Sequence, residues 1–363
     1  MSNETTPLAE LIKGMIALDG PMPIDRYMDL CLGHPVHGYY MSRVPFGARG
    51  DFVTAPEISQ MFGELIGAWC CHVWQDMGSP SPLRLIELGP GRGTLMADAT
   101  RVISRLLGER VQVEVHLVEI SPVLRALQAR SLDGRVVFWH GALAEVPPGP
   151  AIIIGNEFLD ALPIRQFVFQ GGHWAERVIG LDAEGELVPG LVPCVLGPDV
   201  HVPETPSEGM VIEYSPAQAQ VAALIGRRIA EQGGAALLID YGHVRSAAGD
   251  TLQAVRTHQF VPILDRPGES DLTAHVDFEM IGRLMKAAGA EVAEPLTQRE
   301  FLIGLGLTQR AERLKSSANE RQKMKIDSDV ERLTDDRPTG MGRLFKVLAA
   351  RHRSLPLPPP FSQ

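Results

Sequence analysis

The sequence predicts an α/β protein, with a mostly parallel sheet, a helical region ahead of it and an antiparallel β insertion within it. Three observations carry this. Short apolar runs of β character alternate with helical spans, as parallel strands joined by crossover helices do. Residues 7–80 carry helical periodicity instead. Between Pro163 and Pro203 the apolar period falls to two, the mark of half-buried antiparallel strands. The boundaries that follow are 1–80 for an N-terminal helical and lid region, 81–162 with 204–353 for the core, 163–203 for the insertion and 354–363 for a proline-rich tail.

In order along the chain, helices are expected at Leu8–Leu18, Ile24–Leu32 and Ile58–Met77, ended by the Gly78–Pro82 break. The parallel strands are Leu83–Leu88, Val113–Ile120, Val136–His140, Ala151–Asn156 and Ala235–Asp240. The insertion reads as Arg165–Phe169, Trp174–Ile179 and Glu186–Val192, broken at Gly171-Gly172 and at Asp182–Gly185, which are turn formers. Glu213–Gln232 and Ala274–Ala288 read as helices, the second capped by Asp271 or Thr273. Glu300–Gly306 reads as a strand, Met341–Arg351 as the last strand and Ser354–Gln363 as a loose tail.

With 363 residues, 45% of them hydrophobic, the chain can bury one large core or two modest ones. A net charge of −10 argues against nucleic acid as partner, because phosphate binding needs clustered Lys and Arg. Arg310–Lys325 mixes bases with acids and reads as a solvated helix face. The four cysteines, Cys31, Cys70, Cys71 and Cys194, lack metal or redox spacing and read as reduced, and no metal is expected. No segment reaches the roughly 18 apolar residues that a membrane span needs. Met1–Ala9 has neither an apolar signal core nor an Arg-rich amphipathic character, so a cytoplasmic location is expected.

The run Leu83-Arg84-Leu85-Ile86-Glu87-Leu88-Gly89-Pro90-Gly91-Arg92-Gly93-Thr94 carries the first chemistry. Glycines after a strand admit backbone angles closed to other residues and bring bare amides, and the positive end of the next helix, against a ligand. The dinucleotide fingerprint is Gly-x-Gly-x-x-Gly. Here the spacing is Gly-x-Gly-x-Gly behind Glu87, which looks like the S-adenosylmethionine loop of class I methyltransferases, a Rossmann-like fold. The next strand ends in Glu119, where a carboxylate can accept both hydroxyls of a ribose; the plain alternative is a strand-end cap.

Asn156, Glu157 and Asp160 follow the apolar strand Ala151–Ile154 and should emerge beside the cofactor, where carboxylates can orient and polarise an acceptor. Capping of a following helix is the plain alternative. Gly38-Tyr39-Tyr40-Met41-Ser42 and Phe46–Glu57, with Thr54 and Glu57, interleave aromatics with Gly and Pro. They read equally as a lid over the cofactor or as packing of the N-terminal helices. Tyr241 and His275 are candidate pocket residues, and His275 reads alternatively as a helix-start histidine.

On these residues the chain resembles the mitochondrial dysfunction protein A family over nearly its whole length. The carriers are His34-Pro35, Gly38-Tyr39-Tyr40, Gly50-Asp51-Phe52 with Thr54 and Pro56-Glu57, Glu87–Gly93, Asn156–Pro163, Asp240-Tyr241-Gly242 and Asp271–Phe278. The resemblance implies S-adenosyl-L-methionine as cofactor and symmetric dimethylation of an arginine in a protein substrate, a subunit of respiratory complex I. The residues themselves are read with Glu87, Gly89, Gly91, Gly93 and Glu119 on the cofactor, and with Asn156, Glu157 and Asp160 at the acceptor. A cofactor-binding assembly factor that acts by holding a partner is the second reading. The third core strand is followed by His140-Gly141-Ala142-Leu143, without the acidic residue that many class I enzymes set against adenine. The sequence leaves the oligomeric state open.

Overall fold

The computed structural model describes residues 5–42, 54–108 and 111–361. Residues 43–53, which include Phe46 to Phe52 of the expected lid, lie outside the described residues. The N-terminal helices are α1 (Pro7–Asp19), α2 (Ile24–Gly33), α3 (Tyr39–Ser42), α4 (Ala55–Ile58) and α5 (Gln60–Asp76), with a two-residue strand β1 (Met22–Pro23) between the first two. Then β2 (Leu83–Leu88), α6 (Thr94–Leu107), β3 (Val113–Val118), α7 (Pro122–Ser131), β4 (Val136–His140) and β5 (Ala151–Asn156) alternate as expected. β10 (Gly234–His243) and β17 (Phe345–Arg351) complete the sheet's centre.

The main sheet runs β15 (Glu291–Val292), β17, β10, β5, β2, β3, β4, with β14 (Val276–Asp277) on β10 and β16 (Leu296–Thr297) on β17. β4, β3, β2, β5 and β10 are mutually parallel, and β17 lies antiparallel to β10. Alternation along each central strand feeds two cores. Leu85, Ile154 and Leu237 pack with Phe62, Trp69 and Met96 of α5 and α6. Ile86, Ile153 and Leu238 pack on the opposite face, with Ile225 and Ile229 of α8 (Pro216–Gln232) and Ile281 of α9 (Phe278–Ala287). Strands covered on both faces read as continuous apolar runs, which is why they were legible. Two glycines let α5 cross close over α6: a Cβ on Gly67 would meet the Ala99 carbonyl oxygen at 2.6 Å, and one on Gly63 would meet Asp98 Cβ at 2.7 Å.

The insertion is a five-stranded antiparallel sheet, larger than expected. β7 (His173–Leu181) pairs with β6 (Arg165–Gln170), β8 (Leu187–Pro193) and the remote β1, while β6 pairs with β9 (Val211–Tyr214). Glu213 therefore lies in a strand rather than a helix, and α8 starts at Pro216 under a Ser215 cap. A small sheet of β11 (Gln253–Arg256), β12 (Gln259–Val261) and β13 (Asp271–Thr273) adjoins it. Asp271 and Thr273 are thus strand residues, and Asp277 caps α9 by accepting from Met280 N.

The expected strand Glu300–Gly306 is instead α10 (Gln298–Gly304), started by a Thr297/Glu300 capping box. With α11 (Leu307–Lys315), α12 (Glu320–Thr334) and α13 (Met341–Leu344) it forms a helical layer between β16 and β17. Most of the charged face on α11 and α12 is solvated as expected, but Arg310 makes two hydrogen bonds to buried Glu64, at 2.7 and 3.1 Å. The tail is not loose: Phe361 is buried, its ring 5.9 Å from that of Phe301. No described helix is long and apolar enough to cross a membrane.

Candidate active site

In the main sheet Leu88 lies beside both Val118 and Gly155, and Asn156 beside Ile239, so four strand ends meet at one carboxyl edge. Ligands of open α/β sheets bind there, where the strand order reverses. Gly89, Gly91 and Gly93 have φ of +60°, +53° and +81°, the left-handed region. A Cβ on Gly89 would fall 2.8 Å from Phe158 Cδ2. Gly93 is the N-cap of α6, which turns that helix's free amides toward the loop.

Glu119 is 7% exposed, and one oxygen accepts Ser121 N–H at 2.8 Å. The other accepts Gln128 Nε2 at 3.1 Å, and the same amide nitrogen donates to the Gly91 carbonyl at 2.8 Å. Trp139 Nε1 donates to Gln128 Oε1 at 2.9 Å. Gln128 thus ties the glycine loop to Glu119. Sequence reasoning missed it; its one signal was a polar residue on the core side of α7, where it is fully buried. Burial pushes the Glu119 carboxyl up.

Glu119, Leu88, Gly89 and Gly91 line a cavity of about 450 Å³ together with Gly141–Ala144 and Tyr40. After β4, where the sequence lacks an acidic residue, Gly141, Ala142 and Leu143 line the cavity. Tyr40 donates its hydroxyl to Asp271 at 2.7 Å, whereas Tyr39 is buried in the N-terminal core, edge-on to Tyr40, and is not among the cavity-lining residues described.

Glu157 stands at the end of β5 with φ +50°, a conformation that costs a side-chain-bearing residue about 1 kcal/mol or more. No helix follows it, so capping of a following helix drops out. Its carboxylate accepts Ala55 N–H and Asn156 Nδ2, both at 3.1 Å. Burial, reinforced by the neighbouring Asp160, pushes it up to about 7. Glu157 lines the large cavity and also a smaller one of about 40 Å³ beside the glycine loop, shared with Thr54, Glu57, Glu87, Thr94 and Asn156. Into that recess Thr94 donates its hydroxyl to Glu57, and Arg92 lies 3.6 Å from the same carboxylate. Glu87 is 3% exposed and burial pushes it up to about 8. Among the described residues, Glu87 Oε2 and Asn156 Oδ1 are buried acceptors without a hydrogen-bond partner.

Asp160, expected beside Glu157 at the acceptor, is buried and is not among the described lining of either cavity. Burial raises its carboxyl, which is hydrogen-bonded to Tyr241. The Tyr241 ring meets His275 edge-on at 5.5 Å. His275 itself lines a separate cavity of about 240 Å³ with His243, Glu213 and Ser215, so the fold parts it from the cofactor-type cavity.

S-adenosylmethionine fits these residues. The cavity is of the size small-molecule sites have, Glu119 keeps lone pairs for hydroxyls, and the orphan acceptors of Glu87 and Asn156 suit an ammonium. Gly89, Gly91 and Gly93, with Glu87, would hold the methionine end and Glu119 the ribose.

A family model described as "Putative S-adenosyl-L-methionine-dependent methyltransferase" matches residues 65–296. The Danio rerio protein named Protein arginine methyltransferase NDUFAF7, mitochondrial, is 36% identical over 92% of this chain and 84% of its own. The Drosophila melanogaster homolog is 35% identical over 94% and 84%, and the human protein 33% over 88% and 77%. A Burkholderia thailandensis protein crystallised with S-adenosyl-homocysteine matches with a TM-score of 0.84 and 28% identity, over 97% of this chain and 93% of that one. The relatives' names correct the cytoplasmic expectation, since each of those proteins is called mitochondrial. Surface charge and apolar patterning report on the folded surface, not on a receptor-read address. On the match across more than half of its length and the identity to these relatives, the chain belongs to this family of methyltransferases, enzymes that use S-adenosylmethionine.

Proposed function

We propose that this enzyme methylates an arginine side chain of a protein, with a subunit of respiratory complex I as its substrate. The relatives' names support the arginine, and the resemblance of its sequence motifs supports complex I. The observation that carries the chemistry is Glu157, held in a left-handed turn so that its carboxylate faces both cavities. When bound, S-adenosylmethionine supplies an electrophilic methyl group on a positively charged sulfur.

A guanidinium stays protonated in water, with a pKa above about 12. Its nitrogen becomes a better nucleophile when a carboxylate orients it and takes the proton as the new bond forms. Glu157, raised to about 7, is poised to do both near neutral pH. Ala55 N–H and Asn156 Nδ2 hold that carboxylate without neutralising it. Asp160 acts from behind, through Tyr241 and the turn. Tyr40, Thr54 and Glu57 are assigned to the walls around the acceptor.

The test uses methyl-labelled S-adenosylmethionine, the purified protein or its Gly91→Val variant, and extract from cells lacking the protein. One labelled polypeptide, present only with the unaltered enzyme and carrying methylarginine by mass spectrometry, is the expected result. Label mapped to lysine, or no label from a protein that binds S-adenosyl-homocysteine, would overturn the proposal.

A further inference from the structure

Asp240, at the carboxyl end of β10, has no place in the chemistry so far, yet its contacts define the turn that presents Glu157. The side chain is 1% exposed. Its Oδ2 accepts three consecutive backbone amides, Phe158 at 3.1 Å, Leu159 at 2.9 Å and Asp160 at 3.2 Å. Its Oδ1 accepts Tyr241 N–H at 2.9 Å. One residue earlier the Ile239 carbonyl takes Glu157 N–H at 2.9 Å. The turn's own carbonyls are taken from outside, Leu159 by Gln218 Nε2 at 2.8 Å and Asp160 by Ala274 N–H at 3.0 Å.

Three successive amides converge on one oxygen only where the chain coils tightly around it, as backbone nests do around anions. The residue entering that coil is Glu157, and its positive φ is the bend that starts it. A side-chain-bearing residue keeps such a conformation only when its surroundings over-determine it. Among those surroundings, the Asp240 carboxyl on the neighbouring strand takes the three amides that follow Glu157.

We infer that Asp240 is a positioning residue for methyl transfer, a buried acceptor that winds residues 158–160 around one of its oxygens and thereby aims Glu157 at the acceptor. This rests on the reading that Glu157 handles the acceptor. Asparagine at this position keeps the shape but sets an NH2 group against either the three amides or Tyr241 N–H. Glutamate keeps both acceptor oxygens but moves them by one methylene.

The test compares Asp240→Asn, Asp240→Glu, Glu157→Gln and the Asp240→Asn/Glu157→Gln double variant. It reads the initial rate of label transfer from S-adenosylmethionine into extract, the KM for that cofactor, and S-adenosyl-homocysteine affinity by calorimetry. A misplacement on the ångström scale predicts a rate lower by about ten- to a hundredfold in both Asp240 variants. Cofactor KM and product affinity should stay within about threefold of the unaltered protein, and Asp240→Asn should cost under about twofold more once Glu157 is Gln.

A folded Asp240 variant that transfers at the unaltered rate overturns the assignment, as does full additivity with Glu157→Gln. Loss of S-adenosyl-homocysteine binding in both Asp240 variants makes Asp240 a folding residue and overturns it too. Unaltered transfer by Glu157→Gln instead sinks the acceptor reading itself, a result distinct from any of these.

Discussion

Replacing Glu119 with Gln should weaken binding of S-adenosyl-homocysteine by roughly 10- to 150-fold, and the size follows from the donors already on that carboxylate. A carboxylate offers about four lone-pair sites. Ser121 N–H takes one on the first oxygen and Gln128 Nε2 one on the second, leaving a site on each for a ribose hydroxyl. In the amide, one oxygen becomes an NH2 group that faces Ser121 N–H or Gln128 Nε2, donor against donor. Gln128 cannot simply flip, because its oxygen serves Trp139 and its nitrogen serves Gly91. The variant therefore loses one charge-assisted bond to the ligand, about 1.5–3 kcal/mol, which at 1.4 kcal/mol per tenfold gives the range above. Calorimetric titration at pH 8 is the assay, since burial raises Glu119 and the unaltered side chain must be ionised. A dissociation constant within threefold of the unaltered protein, in a variant with a normal melting transition, would refute the assignment of Glu119 to the ribose.

Two further predictions concern pH. If Glu157 takes the acceptor proton, kcat/KM for methyl transfer rises about tenfold per pH unit below about 7 and levels above it. Glu157→Gln should transfer far more slowly with that rise gone; a variant that retains it places the titrating group elsewhere. The cofactor-free protein should lose stability as pH rises toward 8, because Glu87 stays protonated in the fold up to about 8 while the unfolded chain ionises near 4.3. Its contribution is whole below the unfolded value and is lost as pH climbs through the folded one, with a limiting slope of about 1.4 kcal/mol per pH unit. Urea midpoints from pH 5 to 8 should fall less steeply for Glu87→Gln, and equal slopes would show that Glu87 is ionised in the fold.

The parts legible in the sequence were those whose physics is local or repeats along the chain. Strands β2, β4 and β5 were read with the bounds they have: β5 is buried on both faces and reads as an apolar run, while β2 and the partly exposed edge strand β4 are short runs of β character bounded by turn formers. The glycine loop was legible because positive φ at three alternating residues admits few other choices. Glu300–Gly306 failed because a short apolar run does not distinguish strand from helix, and the deciding Thr297/Glu300 capping box lay at its edge. The insertion was undersized because its outer strands, Met22–Pro23 and Val211–Tyr214, are too short to show a period and exist by pairing with β6 and β7.

The sequence by itself determined the fold class, the glycine loop and the presence of acidic residues at strand ends, since each depends on residues close in the chain. Only the tertiary structure decided what those residues face. It set Glu157 on two cavities and Asp160 behind a wall, parted His275 from the cofactor-type cavity, and joined Gln128 to both Gly91 and Glu119. It also brought Asp240 from 80 residues away to wind the Glu157 turn around one carboxylate. A side chain's direction and burial depend on neighbours that are remote in sequence, and those become neighbours only once the sheet has closed.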